Sequence, residues 1–226
     1  MPEYEIASDE ELAEELARLT PAERAEVEWL KSRPSPEQIG VALCLVGRPA
    51  MLRVFGPDSC IAAARIAVDV YRHFGYAAEP LGVRVFIANA AWAQAVKDKW
   101  PGFDPTDAKT FMPELHTIGL GHRVDAERAG HVVVLCESVL VDMSLDQATR
   151  QHKGIALGPM VFRPAANFPE KPAEFLVNGC VVGYGRSPEH EQGWWRRSKN
   201  WTRRDERVRR PVVAAVIRAA SAAVAP

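Results

Sequence analysis

One stretch constrains this chain more than any other: an apolar run from Cys60 to Phe74, a glycine at position 75, and an alternating run from Leu81 to Ala88. Along the first run, Arg65, Asp69, Arg72 and His73 fall at i, i+4, i+7 and i+8. A helix gathers these into one polar stripe and leaves Ile61, Ala62, Ala64, Ile66, Ala67, Val68, Val70 and Phe74 around the rest. Such a helix is mostly buried. Gly75 stops it as a C-cap, and Leu81, Val83, Val85 and Ile87 then recur with the period of a strand packed on that helix.

With 226 residues the chain can remove about 70% of its unfolded surface from water, enough for one sizeable core. Its 47% hydrophobic and 25% charged residues exclude a fully disordered, collagen-like or coiled-coil chain. No apolar run reaches the roughly 18 residues needed to span a bilayer, so no membrane partner is expected. The N-terminus MPEYEIASDEELAEELARL is acidic and lacks the basic-then-apolar order of a leader, so the expected compartment is the cytoplasm, where disulfides are not expected. Cys44, Cys60, Cys136 and Cys180 are scattered with no C-x-x-C pair, which argues against a zinc ribbon.

The net charge of -1 hides an asymmetry: residues 1–30 carry ten acidic and two basic side chains, whereas 196–210 carry eight basic and two acidic. Such ends can dock on each other, associate head to tail, or offer a basic tail to an anionic partner. Ser8-Asp9-Glu10-Glu11 begins one short helix, with Leu12, Leu16 and Leu19 at helical spacing. Thr20-Pro21-Ala22-Glu23 begins a second, through about Lys31, with a capping box and proline at the first position. The expected organisation is an acidic helical arm over residues 1–38, a core over 39–185 and a basic, tryptophan-containing extension over 186–226. In the core, an apolar stretch at Val41–Val46 precedes a loop through Gly56-Pro57, residues 89–100 read as helical, and 101–130 as a long polar connection. A strand or hairpin is expected over Phe175–Tyr184 around Asn178-Gly179, and an Ala/Val helix from Val212 to Val224.

Cys60 follows Gly56-Pro57-Asp58-Ser59, so Asp58 or Ser59 is expected to cap the helix and Cys60 to sit in its first turn. The free N–H groups and positive dipole end there stabilise a thiolate and can receive the oxyanion of a tetrahedral intermediate. Downstream, His131–Leu135 and Val139–Met143 flank Cys136-Glu137-Ser138 and read as a β-hairpin. Directly opposed residues of an antiparallel pair share a face and have a constant index sum. A two- or four-residue loop makes that sum odd and puts His131 and Asp142 on one side of the sheet; a plain three-residue loop puts them on opposite faces. The hairpin therefore permits a carboxylate to orient an imidazole, the arrangement a thiol nucleophile needs from its base.

In layout these residues resemble the transglutaminase-like superfamily, which includes transglutaminases, microbial cysteine proteases and peptide N-glycanases. CIAAARIAVDVYRHFGYAAEP with LGVRVFIAN looks like its cysteine helix, glycine stop and following strand, and GHVVVLCESVLVDMS like its histidine and aspartate strands. The resemblance covers about residues 56–145. It implies an α+β fold with the cysteine helix packed on an antiparallel sheet that carries the histidine and aspartate. It also implies Cys60 as nucleophile, His131 as general base and acid, and Asp142 as the group orienting His131. The activity implied is acyl transfer, or hydrolysis of an amide or peptide, through a thioacyl-enzyme, with a small-molecule or peptide amide or acyl compound as substrate.

Three readings compete with it. The fold is kept as a catalytically inactive interaction module. Alternatively the basic stretch at 194–210, with Trp194, Trp195 and Trp201 among its arginines, binds nucleic acid. The bland version of that tail packs its tryptophans on the core and meets the acidic arm with its arginines. His116, His122 and Cys136 match no zinc spacing, and neither a metal nor an organic cofactor is expected.

Overall fold

The computed structural model describes residues 18, 20–57, 59–89, 98, 116–118, 131–186, 194–202 and 206–224. Nearly all of the helix expected over 8–19, of that over 89–100 and of the connection at 101–130 therefore lies outside the described residues, as do Asp58 and His122.

Helix α1 spans Pro21–Ser32 with the expected capping box between Thr20 and Glu23. Ser35 caps a second helix, α2, over Pro36–Ala42, with Gln38 completing its capping box. This helix continues without a break through a π segment, Leu43–Gly47, into α3, Arg48–Phe55. The stretch before Gly56 is thus helical, where a loop was expected after Val46. Pro49 has no N–H to continue an α ladder, and the wider π turn just before it is where the helix takes up that misfit. The continuous helix Pro36–Phe55 has 20 residues, and its most apolar 18-residue window has a mean hydropathy of 1.4, long and apolar enough by length and composition to cross a membrane. Arg48 and Arg53 interrupt it, so it is not a continuous apolar run. Within the fold, 44% of its most apolar window is buried.

Helix α4 covers Cys60–His73 and ends at Gly75, which adopts a φ of +77°. Ser59, the described residue before the helix, does not cap it: its hydroxyl donates instead to the carbonyls of Phe55 and Gly56. Burial holds the helix, because Ile66, Val68 and Val70 are each fully buried and contribute about 1.5–3 kcal/mol apiece.

After Gly75 the chain turns back into β1, Ala78–Asn89, the central strand of an antiparallel sheet. With β2 (His116–Ile118), β3 (His131–Cys136), β4 (Val139–Asp142), β5 (Met160–Phe162), β6 (Ala173–Val177) and β7 (Cys180–Arg186), the order is β5-β4-β3-β1-β7-β6, and β2 also pairs with β1. Both expected hairpins form on two-residue turns: Glu137 (φ 53°) and Ser138 between β3 and β4, and Asn178 and Gly179 (φ 49° and 72°) between β6 and β7. The architecture is α+β.

Two cores lie against the sheet. On one face α4, the Pro36–Phe55 helix and the C-terminal helix α5 (Glu206–Ala222) enclose Val132, Val134, Cys136, Val139, Val141 and Met143. On the other, Val83, Val85, Ile87, Val133, Leu140 and Tyr184 meet Leu145, Ile155, Leu157 and Phe168 from the connections. The alternating residues of β1 therefore face the second core and not α4, a correction to the expectation. Alternation marks a buried face, but where both faces are covered it does not say which one carries the helix.

The described parts of both extensions touch the core. The 38/39 boundary falls inside α2, and α1 touches the core where Trp29 covers Gly75 and the Arg33 guanidinium lies 3.9 Å from the centre of the Tyr76 ring. Helix α5 begins at Glu206, six residues before the expected Val212, and carries Pro211 inside it. Its Val212, Val216 and Ala220 are core residues, and buried Arg209 donates to the carbonyls of Asn200 and Thr202. Tertiary anchoring overrides the proline as a boundary signal. Trp195 is buried and packs against Trp201 at 4.5 Å, as the bland reading expects. Arg209 lies 3.6 Å from Asp69 on α4, so this arginine meets the cysteine helix.

Candidate active site

Cys60 and His131 lie far apart in sequence, and Gly75 brings them level. Helix α4, 14 residues long, rises about 20 Å, and β1 retraces that length from Ala78 onward at about 3.3 Å per residue. Val83, reached at the end of that return, is the register partner of His131, the first residue of β3. Cys60, at the start of α4, thus returns to the end of the β1–β3 ladder.

In the β3–β4 ladder Val134 faces Val141 and Cys136 faces Val139, an odd index sum. His131 and Asp142 then share a face, one diagonal step apart, as the two-residue loop requires. Their side chains meet: His131 Nε2 lies 2.8 Å from Asp142 Oδ2. Two further side chains hold the carboxylate. Tyr184 donates its O–H to Oδ2 at 2.9 Å, while Ser144 donates its backbone N–H (3.0 Å) and its hydroxyl (3.3 Å) to Oδ1. His131, Asp142, Ser144 and Tyr184 are all buried to within 1% of complete.

Burial disfavours the carboxylate, but the charge and hydrogen bond of His131 and the donors on Ser144 and Tyr184 outweigh it and hold Asp142 below the usual carboxylate range. Burial likewise disfavours the imidazolium. The Asp142 charge and hydrogen bond, with a smaller contribution from the Cys60 sulfur, overcome it and raise His131 from 6.5 to about 10. Burial and the neighbouring Asp142 charge push Tyr184 well above 10, so its phenol stays protonated and donates. With Asp142 ionised, Nε2 carries a proton. His131 Nδ1 is buried with no hydrogen-bond partner. The Cys60 thiol neighbours the ring, and its hydrogen bond and charge both help to raise His131. Cys60 is the partly exposed residue of the group. Cys44 and Cys136, by contrast, are pushed to about 12 by burial.

The structure therefore brings Cys60, His131 and Asp142 together and adds Tyr184 and Ser144. Ser144 was findable, since a polar residue two places after an aspartate commonly bonds back to it. Tyr184 carried no local signal. The set His116, His122 and Cys136 does not assemble on the described part of the sheet: His116 pairs with Ile87 and Cys136 with Ala78, about 30 Å apart along β1. Two described clefts, of about 420 and 440 Å³, border Tyr76–Glu79 and Glu79–Val83, and Cys60 lines neither.

Comparison with protein families, with curated proteins and with solved structures finds no match to this chain.

Proposed function

We propose that Cys60, His131 and Asp142 act as nucleophile, general base and acid, and orienting carboxylate in thiol-dependent acyl transfer or amide hydrolysis. The observation that carries this reading is the buried His131–Asp142 pair, with its second ring nitrogen unpartnered, beside a partly exposed thiol at the head of a helix. Nδ1 takes the thiol proton and the sulfur attacks a carbonyl carbon. Nδ1 then returns the proton to the leaving amine, and water or an amine acceptor releases the acyl group. The element order of cysteine helix, glycine stop, strand, histidine strand and aspartate strand supports a transglutaminase-like arrangement, with an amide, peptide or acyl compound as substrate.

The test is the iodoacetamide alkylation rate of each cysteine against pH, in the wild type and in His131→Ala. The reading expects Cys60 to react far faster than Cys44, Cys136 and Cys180, and to lose that advantage without His131. A second reading, a fold kept for binding with the pair as an internal lock, draws on the complete burial of His131 and Asp142. Cys60 reacting no faster than the other thiols in the folded protein decides for it.

A further inference from the structure

Arg48, at the start of α3, is 2% exposed. Its Nε donates to Asp146 Oδ2 at 3.0 Å, and the two groups form an ion pair. Its Nη2 donates to the Pro57 carbonyl at 3.3 Å, and that oxygen also accepts the Ser59 N–H at 3.0 Å. One residue earlier, a Cβ on Gly47 would stand 3.0 Å from Met143 Cε, so the glycine lets this helix lie close against the chain between Asp142 and Ser144.

Each partner of this guanidinium leads to one half of the site. Asp146 sits in the 3-10 turn Leu145–Ala148 that Ser144 opens, and Ser144 holds Asp142 with its N–H and its hydroxyl. Asp142 in turn fixes His131. On the other side Pro57 lies three residues before Cys60, and Ser59, bonded to the Pro57 carbonyl, gives its own carbonyl to the Ala63 N–H in the first turn of α4. The guanidinium is planar and rigid, so it holds two acceptors at a fixed separation. A buried ion pair returns little net stability, because both charges give up water; direction is what it offers over an apolar side chain of the same volume.

We propose that Arg48, through its bonds to Asp146 and Pro57, is a positioning residue that sets the Cys60 sulfur against the His131 ring. The proposal rests on Cys60 being a nucleophile. A misplacement of about 1 Å between reacting groups can slow a reaction by about 100-fold, so a side chain that ties both halves of the site together acts on the rate. Arg48 does this by location, through the chain on either side of it, and not by its charge.

Iodoacetamide alkylation of the full chain, resolved cysteine by cysteine, tests this. Arg48→Met and Asp146→Ala each remove one end of the same clamp, and each is expected to slow Cys60 by about 10-fold or more. The fully buried Cys136 and Cys180 are expected to keep their parent rates and so to report an intact fold. Asp146→Asn keeps an oxygen to accept from Nε and drops the charge, so it is expected to hold Cys60 close to its parent rate, and against Asp146→Ala it supplies the comparison if Arg48→Met does not fold. In a His131→Ala background none of these substitutions is expected to slow Cys60 further, to within about twofold. A role through charge gives opposite signs instead, since loss of a nearby cation slows a forming thiolate and loss of a nearby anion speeds it; opposite signs overturn the proposal. Lower unfolding midpoints in urea with the Cys60 rate unchanged make the clamp purely structural and overturn it as well, leaving the nucleophile reading in place. A wild-type Cys60 no faster than the other thiols overturns the nucleophile reading itself, and this proposal with it.

Discussion

Tyr184 donates its phenolic O–H to the same Asp142 oxygen that His131 Nε2 contacts, at 2.9 and 2.8 Å. The carboxylate is thereby held from two strands, its hairpin partner β3 and the more distant β7, which does not pair with β4. Tyr184→Phe keeps the ring in the core and removes one donor from a buried charged acceptor. It is expected to cost about 1.5–3 kcal/mol in urea unfolding and to slow Cys60 alkylation while leaving it dependent on His131. An unchanged unfolding midpoint would show that this bond adds nothing to stability.

Stability against pH follows from the directions of the two shifts. His131 is raised to about 10, so its contribution is fully present below about 6.5 and is lost as pH climbs through about 10. Asp142 is depressed, so its contribution is present above about 3.9 and fades as pH falls through its lower folded value. The pair therefore stabilises most between about pH 4 and 6.5. Asp142→Asn is expected to lower stability within that window and to flatten the alkaline decline. Chemical unfolding of both proteins across pH 4–10 checks it, and parallel curves would sink the assignment.

Phe86 and Gly183 are register partners on β1 and β7, and the Phe86 ring lies where a Cβ on Gly183 would stand. Gly183→Ala must displace that ring within a packed interior, at a cost of about 1–3 kcal/mol. Phe86→Leu in the same chain is expected to recover part of the loss, read as a non-additive double-mutant cycle in thermal unfolding.

Helix α5 supplies Arg209, Val212, Val216 and Ala220 to the buried set, so it belongs to the main core. A chain ending at residue 203 exposes the α4 face that these side chains cover. It is expected to lose its cooperative unfolding transition in calorimetry. A truncated protein with the parent's transition would show that helix α5 adds nothing to the stability of the core.

What could be read from the sequence was set by local periodicity. The polar stripe of α4 and the glycine after it depend on residues within one helix and emerged as expected, whereas the parity of His131 against Asp142 hung on a loop length that the sequence left open and the two-residue turn decides. Tyr184 did not emerge, because its meeting with Asp142 depends on the strand order β4-β3-β1-β7, and a chain separation of 42 residues leaves no periodic trace. Arg48 was hidden for a related reason. A loop was expected from Val46 to Pro57 where the π turn carries the helix through, and only a continuous helix brings that guanidinium to Pro57. The face chosen by Leu81, Val83, Val85 and Ile87 was undecidable locally, since the sheet is covered on both sides.

Gly75 works as the pivot of a lever with unequal gearing. One arm, α4, is measured out in steps of about 1.5 Å and the other, β1, in steps of about 3.3 Å, and sulfur and imidazole meet because the two residue counts cancel this difference. Drift in length is therefore tolerated very unevenly along this chain. One extra turn inside α4 carries the thiol about 5.4 Å past the ring, while several residues added to the connection at 163–172, which belongs to neither arm, leave the alignment as it was.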